Sequence, residues 1–172
     1  MRGLIAGCLV ALLCILSGCK GVIDDRIPAL PVSINLGDAG MWNTYGVSGF
    51  GIYRYFILAQ GTRLPSGFPY SQGSATGYGG VLLIGGMDPF TTQTNVPLAY
   101  DLACPVERDP AVRVQVNIES FEAVCPQCGS RYDVTMAGGA PCGGPALEGA
   151  RRYGLRRYTC RPAPAGGYII TN

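Results

Sequence analysis

Glycine and proline interrupt this chain too often for long regular elements to form. The 172 residues include 26 glycines and 13 prolines. Each glycine loosens the backbone, and each proline removes an amide from any hydrogen-bond ladder. Such a chain favours short strands joined by many turns. Strict alternation marks Val32-Ser33-Ile34-Asn35-Leu36 and Arg113-Val114-Gln115-Val116-Asn117 as half-buried strands. Gly37-Asp38-Ala39-Gly40 breaks the first of them. The run from Gly51 to Ala59 is rich in aromatic and branched residues, and Val81-Leu82-Leu83-Ile84 is a short, fully apolar strand. Residues 61–80 read as a long loop. Val96 to Ala103 leads straight into Cys104, and Phe121 to Val124 leads straight into Cys125. Residues 131–135, 155–159 and 168–171 complete the strand candidates. The expectation is one all-β, antiparallel domain over residues 32–172.

The N-terminus reads as an address. Arg2 precedes an apolar run from Leu4 to Leu16, which closes on Leu16-Ser17-Gly18-Cys19. Small residues before a cysteine at that place form a bacterial lipobox. Residues 1–18 are therefore expected to be a lipoprotein signal peptide, with Cys19 lipidated and residues 19–31 a tether. Lys20, rather than Asp, follows the cysteine, which by the sorting convention of double-membraned bacteria points to the outer membrane. The membrane is then the first partner. Cys8 and Cys14 fall inside the leader.

Composition excludes several classes. Charged residues are 14% of the chain and the net charge is +2, too little for a nucleic-acid-binding face. The chain has no histidine, which removes His-based triads, His-ligated haem and imidazole zinc sites. Ser48 and Ser130 have no candidate base, and nothing in the sequence pairs Glu119 or Glu122, so no hydrolytic site is expected. Gly77-Tyr78-Gly79-Gly80 opens no helix and is no phosphate loop. Arg151, Arg152, Arg156 and Arg157 read as a solvated face, with contact to a phosphate or acidic partner as the alternative.

The cysteines carry the chemistry. Cys125-Pro126-Gln127-Cys128-Gly129 is a knuckle whose turn exposes two thiols on one side with backbone N–H groups aimed at the sulfurs. A zinc ribbon needs a second such pair 15 to 20 residues on, and only the single cysteines Cys142 and Cys160 follow. Disulfides are the alternative in an oxidising envelope.

Three segments together resemble the second half of a Rieske iron–sulfur domain. They are Cys125-Pro126-Gln127-Cys128-Gly129-Ser130-Arg131-Tyr132-Asp133, Gly144-Pro145-Ala146 and Leu155-Arg156-Arg157-Tyr158. The family's first box, Cys-x-His, falls on Cys104-Pro105-Val106. The resemblance covers residues 99–171 and implies a β domain in which two cysteine-bearing loops converge. Both histidine positions differ here, as Val106 and Cys128, so the two-histidine, two-cysteine centre cannot form. The resemblance implies a cysteine-only site on Cys104, Cys125 and Cys128, with Cys142 as a candidate fourth ligand. A 2Fe–2S cluster and zinc are the cofactor candidates. Cys160 is a poorer ligand and could pair with Cys142 in a disulfide. Two functions follow as expectations. One is an envelope-anchored metal or electron-transfer protein with a redox or envelope partner. The other is a cluster-less binding or structural lipoprotein with disulfides in place of metal.

Overall fold

Strands make up most of the regular structure among the described residues. The structure is a computed structural model that describes residues 21–88, 91–136 and 138–172, so the leader, the lipobox and Cys19 lie outside the described residues. Its strands are β1 (Val22–Ile23), β2 (Val32–Asp38), β3 (Tyr53–Ala59), β4 (Thr62–Leu64), β5 (Ala75–Thr76), β6 (Val81–Met87) and β7 (Thr94–Asp101). They continue as β8 (Gln115–Val116), β9 (Glu122–Val124), β10 (Arg131–Asp133), β11 (Ala140–Gly143), β12 (Arg152–Tyr153), β13 (Arg157–Pro162) and β14 (Gly166–Thr171). Among the described residues two short helices, α1 (Ala39–Tyr45) and α2 (Pro145–Glu148), interrupt them. The fold is all-β, as the punctuation of the sequence implies.

Eight strands form one antiparallel sheet in the order β4-β3-β6-β7-β13-β14-β2-β5, and a smaller sheet runs β11-β10-β9-β8. Two cores result. Leu82 and Ile84 of β6 join Tyr100, Leu102, Val116, Ala123, Tyr132 and Val134 between the sheets. Val81 and Leu83, on the opposite face of the same strand, join Val32, Ile34, Leu36, Phe56 and Ile170. The large sheet therefore curls, and β6 is covered on both faces. That is why its sequence shows an unbroken apolar run where β2 shows alternation.

Local differences from the sequence reading have simple causes. β2 runs on to Asp38, whose carboxylate accepts from Met41 N at 2.9 Å and caps α1, so the expected break is a strand-to-helix junction. The loop over residues 61–80 contains β4 and β5, which pair with β3 and β2. The expected tether is docked from Val22 onward. β1 pairs with β12, Ile27 is buried, and its carbonyl accepts from Arg156 Nε at 2.6 Å. Asp24 pairs with Arg157 at 3.1 Å. Two of the four clustered arginines thus brace the N-terminal segment. Among the described residues no helix is long and apolar enough to cross a membrane.

A buried carboxylate ties these pieces together. Asp101, at the end of β7, accepts from Ala103 N (2.7 Å), Gly79 N (3.0 Å), Tyr78 N (2.9 Å) and the Tyr158 hydroxyl (2.5 Å). Burial raises this carboxyl above the usual carboxylate range, and the Tyr158 hydroxyl and the three N–H groups pull it back. The chain passes so close that a Cβ on Gly79 would strike Ala103 N, and one on Gly77 would strike the Tyr158 hydroxyl. The glycine run before β6 is thus a carboxylate cradle. Asp101→Ala strands three N–H donors, two of them buried, and is expected to cost about 3 kcal/mol, against about 1.5 for Tyr158→Phe. Urea unfolding midpoints check this, and an Asp101→Ala loss no larger than that of exposed Asp25→Ala would discount the clamp.

Candidate metal centre

Strand parity delivers the first cysteine. Tyr100, Leu102 and Cys104 share the face that points into the core between the sheets. Beyond Asp101 the chain is gripped at Ala103 N, so Cys104 enters its loop from a fixed point. Arg108 N donates to Cys104 O at 2.8 Å and closes the turn. The N–H groups of Val106 and Glu107 face the Cys104 sulfur.

The second loop joins β9 to β10. Cys125 N donates to Ser130 O at 2.9 Å, and Gly129 N donates to Cys125 O at 3.0 Å. Gly129 has φ near 71°, the left-handed turn that a residue without Cβ adopts freely. Ala123 and Cys125 also face the core between the sheets. At the rim, Gln127 Nε2 donates to Glu107 Oε2 at 2.8 Å and links the two loop tips.

The three thiols converge. The sulfurs of Cys104, Cys125 and Cys128 all lie within 4.8 Å of one another, and those of Cys104 and Cys128 are 3.7 Å apart. Cys104 and Cys125 are buried, while Cys128 reaches partly to solvent. Thiolates on one tetrahedral ion at about 2.3 Å stand about 3.8 Å apart, so the group has the dimensions of a single-ion site. Burial pushes the Cys104 thiol up to about 12, against the opposing pull of the Tyr132 hydroxyl at 3.4 Å. Tyr132 is itself fully buried, and burial first, then Cys104, raises its hydroxyl well above the ordinary range. The Cys128 thiol donates to Ser130 Oγ at 3.1 Å, and the same oxygen accepts from Ala146 N at 3.1 Å. The expected Gly-Pro-Ala loop is thus one helical turn, α2, pinned beside the thiols through Ser130.

The other two cysteines stand apart. Cys142 lies on β11, where its thiol donates to Glu122 Oε1 at 3.5 Å and is raised to about 11 by burial and by that carboxylate. Glu122 is in turn paired with Arg131 at 3.3 Å, a partner the sequence did not announce. Cys142 is not a member of the converging group. Cys160 lies on β13 of the large sheet, against the second core, and burial pushes it up to about 12. β11 and β13 belong to different sheets, both thiols are free, and the structure does not bring the two together. Asp101 is the supporting residue that the sequence reading passed over, although a lone carboxylate in the apolar run from Val96 to Ala103 was its signal.

By sequence, the chain matches no family model and no curated protein. The geometry alone therefore defines the site. Ser130→Ala removes the shared oxygen between Cys128 and Ala146 and is expected to cost about 1 to 3 kcal/mol. Faster hydrogen exchange at the Ala146 amide would localise that loss to α2. Unchanged exchange there would show that the hydroxyl does not hold the helix.

Proposed function

We propose that the chain is an envelope-anchored lipoprotein whose β domain is of Rieske descent and holds one thiophilic ion, zinc or iron, on Cys104, Cys125 and Cys128. The observation that carries this reading is the convergence of three sulfurs from two loops within 4.8 Å. A two-iron cluster needs four protein donors divided between two irons. This group offers three donors around one point, so a single ion is the better fit. Rieske descent is supported by two cysteine-tipped loops, one running from β7 of the large sheet to β8 of the small one and the other joining β9 to β10. It is supported also by Ser130 and Tyr132 against the sulfurs. The anchor rests on Leu16-Ser17-Gly18-Cys19.

An ion bound there supplies a Lewis-acidic or one-electron redox centre. The chain's own part is to fix three donors on two loops and to shield two of them from water. The Tyr132 and Ser130 hydroxyls and the N–H groups of Val106 and Glu107 orient the sulfurs. Electron transfer to an envelope partner is the use an iron centre would serve.

One observation favours a second reading. At 3.7 Å, the Cys104 and Cys128 sulfurs need only a small loop movement to reach the about 2.05 Å of a disulfide. The domain would then be a binding module with its loops bridged covalently.

Full-length chain purified without oxygen is expected to carry one zinc or iron by elemental analysis. Cys104→Ser, Cys125→Ser and Cys128→Ser each lose it, and Cys160→Ser keeps it. Metal-free protein lighter by two hydrogens, with Cys104 and Cys128 in one cross-linked peptide, would replace the metal reading by the second. Cys19→Ala is expected to leave an uncleaved precursor without acyl label. Normal processing of that variant would remove the anchor.

A further inference from the structure

Three features of the thiol group bear on which ion it prefers. The first is donor count. Among the described residues the group has three members and no fourth. The chain has no histidine, the Cys142 thiol is engaged by Glu122, and the Glu107 carboxylate is held at the rim by Gln127. Val106, two residues past Cys104, is apolar and packs on the core. The second is charge. Three thiolates around a divalent ion leave one net negative charge, and the sulfurs' partners are neutral hydroxyls and backbone N–H groups. Cys104 and Cys125 are 0% and 1% exposed, so uncompensated charge is costly there. A trivalent centre with three thiolates is neutral. The third is stereochemistry: a trivalent centre with a lone pair forms a three-bonded pyramid and asks for no fourth ligand.

We propose that Cys104, Cys125 and Cys128 form a site for a three-coordinate, trivalent thiophile of the arsenous-acid class, held in preference to divalent zinc. The proposal rests on reading the three thiols as one site. Binding is a condensation. Arsenous acid, As(OH)3, meets three thiols, three As–O and three S–H bonds break, and three As–S bonds form. Each thiol proton leaves with one hydroxyl as water. No electrons are exchanged, so no oxidant or reductant is required.

The test titrates full-length, phosphine-reduced protein with arsenite and, separately, with zinc, read by native mass spectrometry and sulfur-to-arsenic absorbance. The expected result is one arsenic per chain, with a mass gain of one arsenic less three hydrogens and displacement of bound zinc. Cys104→Ser, Cys125→Ser and Cys128→Ser each weaken retention by at least about tenfold, while Cys142→Ser and Cys160→Ser retain it. If a serine variant unfolds, alkylation mapping of the unsubstituted protein decides, with arsenite protecting Cys128, the accessible member of the group, and leaving Cys142 as reactive as without it. One zinc per chain with no arsenic uptake overturns this inference and leaves the metal-site reading intact. Failure of both ions overturns both. Loss of arsenic in Cys142→Ser overturns the three-donor assignment.

Discussion

The Asp101 carboxylate sits where four pieces of this fold meet. It gathers the glycine run ahead of β6, the end of β7, the Tyr158 hydroxyl from β13 and the first residues of the cysteine loop. Backbone N–H groups leaving a strand are normally paired by the next strand. Beyond Asp101, Leu102 N still donates to Gly80 O and Ala103 bridges Arg113, while the Asp101 carboxylate accepts from the N–H groups of Ala103, Tyr78 and Gly79. The same contact explains Gly77 and Gly79, whose missing side chains let the backbone approach. Backbone bonds hold the Cys104 loop as well, from Cys104 N to Val112 O at 3.1 Å and from Val114 N to Leu102 O at 2.8 Å. Fixing Ala103 N one residue earlier turns a strand end into a defined launching point for a thiol.

The site is then a consequence of strand parity on both sheets. Leu98, Tyr100, Leu102 and Cys104 share one face, and Ala123 and Cys125 share the facing one. Sulfur therefore replaces a core methyl at the end of each apolar row, and two thiols arrive already desolvated. Cys128 arrives differently, through a knuckle closed at Gly129, and keeps contact with solvent. The result is an asymmetric group with two buried thiols and one accessible one.

Much of this was legible in the sequence, and the remainder has identifiable causes. The strands at Val32, Gly51–Ala59 and Val81 announced themselves through alternation or branched residues. The convergence of Cys104 with Cys125 and Cys128 is what the resemblance to a Rieske domain implies, while the strand-like runs place only Cys104 and Cys125 at strand ends. β4 and β5 were hidden because two- and three-residue strands carry no period and owe their pairing to β3 and β2. The docking of residues 22–27 was hidden because its partners, Arg152 to Arg157, lie more than a hundred residues away. Cys142 looked like a fourth ligand from its order in the chain. Its strand, however, pairs with β10 in a register that leaves its thiol beside Glu122. Sequence order gives the cysteines' succession but not which edge of the small sheet each occupies.

Burial governs how such a group reacts. A thiol attacks or binds as the thiolate, and desolvation at Cys104 holds its proton tightly, at about 12. Exchange with an external disulfide would thus begin at Cys128, the accessible sulfur, with Cys104 at 3.7 Å as the resolving partner. An ion captured by all three sulfurs removes both steps at once, because the accessible thiol is occupied and the buried one is already bonded. The same geometry therefore sets metal binding and disulfide formation in direct competition for one pair of sulfur atoms. Which of them prevails depends on whether the ion reaches the folded loops before the oxidant reaches Cys128.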